Sequence, residues 1–287
     1  MDGIVNIWKP SGMTSHDAVA KVRRAAGTRR VGHTGTLDPM AEGVLPICIG
    51  KATHAVDYIV AARKTYLCQM KLGASTDTQD KTGTIIKERP VHCTEEQIRK
   101  IAKQFVGAKT QIPPMYSAVH HNGKRLYQLA RQGVEVERKP RPVTFFEISF
   151  LEIQVPMVTF LVTCSKGAYI RTLCHDIGEA LGCGGHMTSL VRNASGQFTR
   201  DNAVALADFE ASPKDHILPI ESVFADLPKV RVTAEEERRI RNGATIDYPD
   251  GKEERYAVFS ENGKLLCLSQ GIMGKRGIYL KMLTSFY

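Results

Sequence analysis

No apolar run in this chain of 287 residues approaches the roughly 18 residues that a membrane span requires. Stretches such as Val155-Pro156-Met157-Val158 are broken by proline or threonine. Met1 to Asn6 carry no basic segment leading into an apolar one, so no secretory signal is visible. Neither membrane insertion nor secretion is expected. No Cys-x-x-Cys pair occurs, and the seven cysteines (48, 68, 93, 164, 174, 183 and 267) are odd in number. They read as reduced thiols of a cytoplasmic protein. Cys174, His175, Cys183 and His186 come nearest to a metal cluster, but their spacing fits no common zinc site. Cys174 also falls on an apolar helix face, so core packing is expected and no metal. Gly182-Cys183-Gly184-Gly185 lacks phosphate-loop spacing, and no dinucleotide fingerprint is present. No internal repeat, low-complexity tract or coiled-coil pattern appears, which leaves a monomer as the expectation.

What the chain does have is positive charge and apolar residues. The net charge is +9, which favours a polyanionic partner such as nucleic acid. Hydrophobic residues make up 43% and charged residues 24%, enough for a sizeable core in a globular protein. The length accommodates one large domain and one small one.

The hydrophobic period predicts the main elements. Ala18, Val19, Val22, Ala25 and Ala26 recur at helical spacing over Ser15 to Ala26, with Ser15 as the cap and Gly27 as the stop. Thr94 to Phe105 and Tyr169 to about Leu181 are two further amphipathic helices. Lys64 to Leu72 reads as a strand, Met157 to Cys164 alternates as a strand should, and Val44 to Ile49 reads as a buried one. Strands and helices mix without a regular βαβ repeat. The expected class is α+β, with a mixed, largely antiparallel sheet flanked by helices. Ser212-Pro213-Lys214-Asp215 resembles a linker, which divides the chain into residues 1–212 and a small β-rich unit at 225–287. In the second unit Thr233 to Glu236 forms a capping box, and Glu261-Asn262-Gly263 marks a hairpin.

The most particular stretch runs from Gly32-His33-Thr34-Gly35-Thr36-Leu37-Asp38-Pro39 to Met40-Ala41-Glu42-Gly43-Val44-Leu45-Pro46. Pro39 fixes its own φ and pushes Asp38 out of helical geometry, so Asp38 sits on a shaped turn just before a buried strand. Such a carboxylate either makes an Asx turn with its own backbone or is held for chemistry. Asp38 and Glu42 taken as a carboxylate pair leave a glycosidase-like hydrolase open as well.

This stretch resembles motif II of the TruB family of pseudouridine synthases. Trp8-Lys9-Pro10-Ser11-Gly12-Met13-Thr14-Ser15 is similar to the family's motif I. Lys64-Thr65-Tyr66, Cys164 to Leu173 and His186 to Gly196 resemble three further family segments. The resemblance covers most of residues 3 to 195. It implies the pseudouridine synthase fold with a PUA-like C-terminal module, and isomerisation of uridine in the T-loop of tRNA, at position 55 of standard tRNA numbering. Asp38 becomes the catalytic carboxylate and Arg171 its paired guanidinium. His33 fills the space left by the flipped nucleotide, Tyr66 stacks on the base, and Tyr169 and Leu190 line the uridine pocket. Lys9 is a candidate phosphate contact. Ala168 and Asn193 depart from the family pattern, where a threonine and a basic residue are common.

Residues 111–143 resemble the RNA-gripping thumb insert of stand-alone members. Between 121 and 142, six basic residues stand against two acidic ones, interleaved with tyrosine. The implied partner is the tRNA T-arm, without a cofactor or a protein partner. An RNA-guided, dyskerin-type relative and a non-catalytic RNA-binding protein are the alternatives.

Overall fold

In the computed structural model, which describes residues 1–287, the strand Gly3–Lys9 lies antiparallel to Glu42–Ile49. A ten-stranded sheet grows from this pair. Its order is Val204–Ala205, Gly3–Lys9, Glu42–Ile49, Gly185–Ser195, Lys64–Leu72, Met157–Cys164, Arg141–Gln154 and Gly107–Gln111. Val31–His33 and Phe198–Thr199 pair at its side. The ladders are antiparallel except where Gly3–Lys9 meets Val204–Ala205 and Glu42–Ile49 meets Gly185–Ser195. The mixed, largely antiparallel α+β expectation is borne out.

Burial explains the strands. Lys64–Leu72 and Met157–Cys164 alternate inward and outward, while Glu42–Ile49 is covered along nearly its whole length. The helices Ser15–Ala26, Glu95–Lys103 and Ile170–Ala180 close the main core, burying Val19, Ile98, Leu173 and Ile177 against the sheet. Cys174 lies in that core, its sulfur 3.5 Å from that of Cys68. The last helix packs close to its strand because position 178 is glycine: a Cβ there would meet the Gly185 nitrogen at 2.2 Å.

One cap differs from expectation. Thr14, not Ser15, caps the first helix, in a reciprocal capping box with Asp17. The Ser15 hydroxyl is turned to the Asp38 loop instead. It accepts from Leu37 N at 2.8 Å and donates to Leu37 O at 3.1 Å.

Residues 229–285 build a separate five-stranded sheet with the helix Ala234–Arg241, capped by Thr233 and Glu236. The 212–215 segment is a short 3-10 turn rather than an open linker. After it the chain returns to the large sheet, where Leu218 and Ile4 exchange backbone hydrogen bonds at 2.8 and 2.9 Å. Phe224 and Phe286 pack together across the two units. The 111–143 insert holds a two-residue hairpin, His120–His121 with Lys124–Arg125, and a short helix, Leu126–Ala130. Met115 and Leu126 anchor it.

Candidate active site

Asp38 stands on the loop between Val31–His33 and Glu42–Ile49, and that loop is fastened on several sides. Ser15 clasps Leu37, Gly12 N donates to Pro39 O at 2.8 Å, and the Ser11 hydroxyl donates to Met40 O at 2.9 Å. The Pro-Ser-Gly turn and the first helix therefore brace the loop from one side.

Arg171 meets Asp38 as a fork. Its Nε lies 2.8 Å from Oδ2 and its Nη2 donates to Oδ1 at 3.1 Å. Such a bidentate pair fixes the carboxylate plane as well as its charge. The Arg171 side chain is 5% exposed and that of Asp38 30%, so the guanidinium lies inside while the carboxylate keeps an open edge. The other Arg171 donors reach Thr78 O at 3.2 Å and Tyr116 O at 3.0 Å, and Asp80 Oδ2 lies 3.8 Å from Nη1. Burial pushes the Asp38 carboxyl above its ordinary range. Arg171 opposes that shift and Asp80 adds to it.

Tyr66 and Tyr169 are both near enough for the Asp38 charge to raise their phenols. Tyr66 is buried on Lys64–Leu72, directly across the ladder from Arg192. Burial raises its phenol and the Arg192 charge opposes this. Leu190 lies two residues before Arg192, opposite Cys68 and on the same face. Tyr169 is half-buried at the start of Ile170–Ala180. The buried amide of Gln111 accepts from its N at 3.0 Å and donates to its O at 3.1 Å.

His33 lies edge-on to His16, with ring centres 5.5 Å apart, and its Nδ1 accepts from Gly35 N at 3.2 Å. Burial brings its pKa down to about 4, and the charges of His16, Arg192 and Arg125 contribute. The ring is neutral in the physiological range, with its proton on Nε2.

Lys9 departs from its expected place at a phosphate. It is fully buried, and its ammonium donates to Pro10 O at 2.8 Å and Met13 O at 2.7 Å. Burial lowers its pKa to about 8. In this position it braces the turn beneath the loop.

Two residues of the site carry no signal in the sequence, and a third, Arg192, stands in the Leu-x-Arg of a family-like segment without a task. Asp80 is one, hidden in the Thr76-Asp77-Thr78-Gln79-Asp80 run, whose polar residues read as an ordinary turn. Its carboxylate accepts from Thr78 Oγ1 and Thr82 N, each at 2.9 Å. Gln111 is visible only as the first residue of the insert. Arg192 is 1% exposed and donates to Val44 O at 2.6 Å and Gly35 O at 3.1 Å.

Comparisons with known proteins bear on the family and the fold. The sequence profile described as TruB family pseudouridylate synthase (N terminal domain) matches residues 23–170. That of the tRNA pseudouridylate synthase B C-terminal domain matches residues 171–225. The chain is 44% identical to tRNA pseudouridine synthase B of Clostridium kluyveri over the full length of both. It is 47% identical to the protein of that name from Alkaliphilus oremlandii, over 86% of this chain and 83% of that one. A solved H/ACA RNP bound to a substrate RNA containing 2′-deoxyuridine includes a chain with a TM-score of 0.74 at 26% identity, covering 99% of this chain and 85% of that one. The Cbf5-Nop10-Gar1 complex gives 0.73 at 28%, with the same coverage. The fold is thus that of the pseudouridine synthases, a class of isomerases. Within that class the chain belongs to the TruB family.

Proposed function

We propose that this protein isomerises uridine to pseudouridine in the T-loop of tRNA, at position 55, without a cofactor. The Asp38–Arg171 fork, its carboxylate keeping an open edge, is the observation that carries this reading. The reaction breaks the bond from C1′ to N1, turns the uracil and joins C1′ to C5. C5 loses a proton and N1 carries one, so atoms and electrons balance without an oxidant or an energy source.

The target nucleotide must leave its stack to be reached. Neutral His33, at the rim of the loop, fills the space it vacates. The Asp38 anion then acts at the ribose, either by attacking C1′ or by removing the 2′ proton. Tyr66 and Tyr169 hold the detached ring within reach of C1′, where proximity makes recombination faster than escape. Leu190 completes the apolar wall. The exposed cations Lys124, Arg131 and Lys139 of the insert hold the phosphates of the T-arm. The small C-terminal sheet is a PUA-like RNA-binding module, and residues 1–212 carry the catalysis. A monomer working in the cytoplasm completes the reading.

The deciding assay incubates the purified chain with a bare T-arm stem-loop and maps the product by mass spectrometry, using a label selective for the C–C glycoside. Wild type forms pseudouridine and Asp38→Asn forms none. Substantial turnover by Asp38→Asn overturns the assignment.

The likeness to H/ACA RNP chains favours a guide-dependent second reading. That reading predicts no product on the free stem-loop. Release of free uracil would instead mark a hydrolase.

A further inference from the structure

Resting on the proposed function, we propose that Arg192 is a positioning residue for the isomerisation. It ties the Asp38 loop to the strand that carries Tyr66, and so sets how the carboxylate faces the ring that holds the base.

Three observations carry this. Arg192 is among the largest fully buried side chains, and its hydrogen bonds go to main-chain carbonyls rather than to a carboxylate. A buried cation without an anionic partner is a costly way to fill space, and an apolar residue of the same volume would stabilise the fold better. Such a local violation of the packing rules is expected at functional positions.

The second observation is where the guanidinium reaches. Its own strand faces Tyr66 across the ladder, Nε holds Val44 O on the strand after the loop, and Nη2 holds Gly35 O within the loop. One planar fork therefore joins its own strand, which pairs with that of Tyr66, to the strand after the loop and to the Asp38 loop itself. The register skips a residue immediately after Arg192, between the 192 and 194 pairs, a bulge of the kind that re-aims a side chain.

The third is that the strand after the loop runs tight against the Arg192 main chain, which fixes where the side chain starts. Gly43 stands beside Arg192 in the parallel ladder, and a Cβ there would meet Arg192 O at 2.3 Å. A Cβ at position 35 would make only ordinary contact with the guanidinium, at 3.6 Å from Arg192 Nη1.

Steady-state kinetics on the T-arm stem-loop test the role in Arg192→Lys, Arg192→Ala and Asp38→Asn. Lysine keeps the charge and loses the fork. Arg192→Lys is expected to melt with a single transition, as wild type does, and to lose about a hundredfold in kcat with KM within about threefold, as a small misplacement of reacting groups does. Guanidinium ion, but not methylammonium, restores part of the kcat of Arg192→Ala. A kcat close to wild type in Arg192→Lys, a loss confined to KM, or a loss that follows only the folded fraction overturns the proposal. Should Arg192→Ala fail to fold, Arg192→Lys alone decides. An active Asp38→Asn would instead remove the reading beneath the proposal, so the two failures are distinct.

Discussion

Asp80 lies 3.8 Å from Arg171 Nη1, the nitrogen that the fork to Asp38 leaves out. One buried cation thus faces two carboxylates. Asp38 has an open edge, whereas Asp80 is enclosed and receives hydrogen bonds from its own turn.

Replacing Asp80 with asparagine keeps the oxygen that Thr78 and Thr82 use and removes the charge. With one anion gone, Asp38 ionises at lower pH. The acid limb of kcat/KM is expected to shift downward in Asp80→Asn, with a lower plateau because Arg171 is less firmly held. A pH–rate profile checks both.

Arg171→Lys replaces a fork by a point charge that keeps neither the bidentate geometry nor all the carbonyl partners. We expect kcat/KM to fall by about two orders of magnitude, the scale of misplacing a reacting group by about 1 Å. Initial rates on the stem-loop measure it.

His33 titrates at about 4 in the folded chain, against about 6.5 when unfolded. Between these values the unfolded chain binds the extra proton, so stability falls as pH drops through this window. His33→Gln should flatten that part of the melting-temperature profile, while above pH 6.5 its slope should match wild type. Thermal melts across the range provide the check.

Lys124, Arg131 and Lys139 are exposed on the insert. Changing all three to glutamine should raise KM for the stem-loop. The slope of log K against log salt should become shallower by about 0.7 to 0.9 for each phosphate no longer neutralised. Binding titrations at several salt concentrations report this directly.

Gly43 has φ of +113° and is pressed against the Arg192 backbone. Gly43→Ala combines left-handed strain with a steric clash and is expected to cost about 3 kcal/mol or more. Denaturant unfolding would show it as a lower midpoint at unchanged slope.

Much of the fold is legible in the sequence because its signals are local. Lys64–Leu72 and Met157–Cys164 match the expected strands in both bounds, since alternation with one buried face is written in a few consecutive residues. The helix after Tyr169 shows in its apolar stripe for the same reason. Ser15 misleads as a cap because it follows another hydroxyl residue, although the Thr14-x-x-Asp17 spacing that forms the capping box is itself local. Lys9 misleads because no local pattern tells a solvated ammonium from one that turns back onto carbonyls. The surroundings of Arg171 are invisible to spacing. Its partners come from positions 38, 78, 80 and 116, and only tertiary structure gathers them. Family resemblance supplies the Asp38–Arg171 pairing, and it carries no signal for Asp80, Gln111 or the task of Arg192.

The Tyr116 carbonyl, which accepts from Arg171, belongs to the same insert as the basic residues at 124, 131 and 139. On the proposed function, handle and trigger are therefore one continuous piece of chain. A change that alters how firmly the arm seats on its polymer will also tilt the guanidinium and retime the bond rearrangement. Affinity and turnover should be hard to tune independently by mutating residues between the Gln111 root and the hairpin.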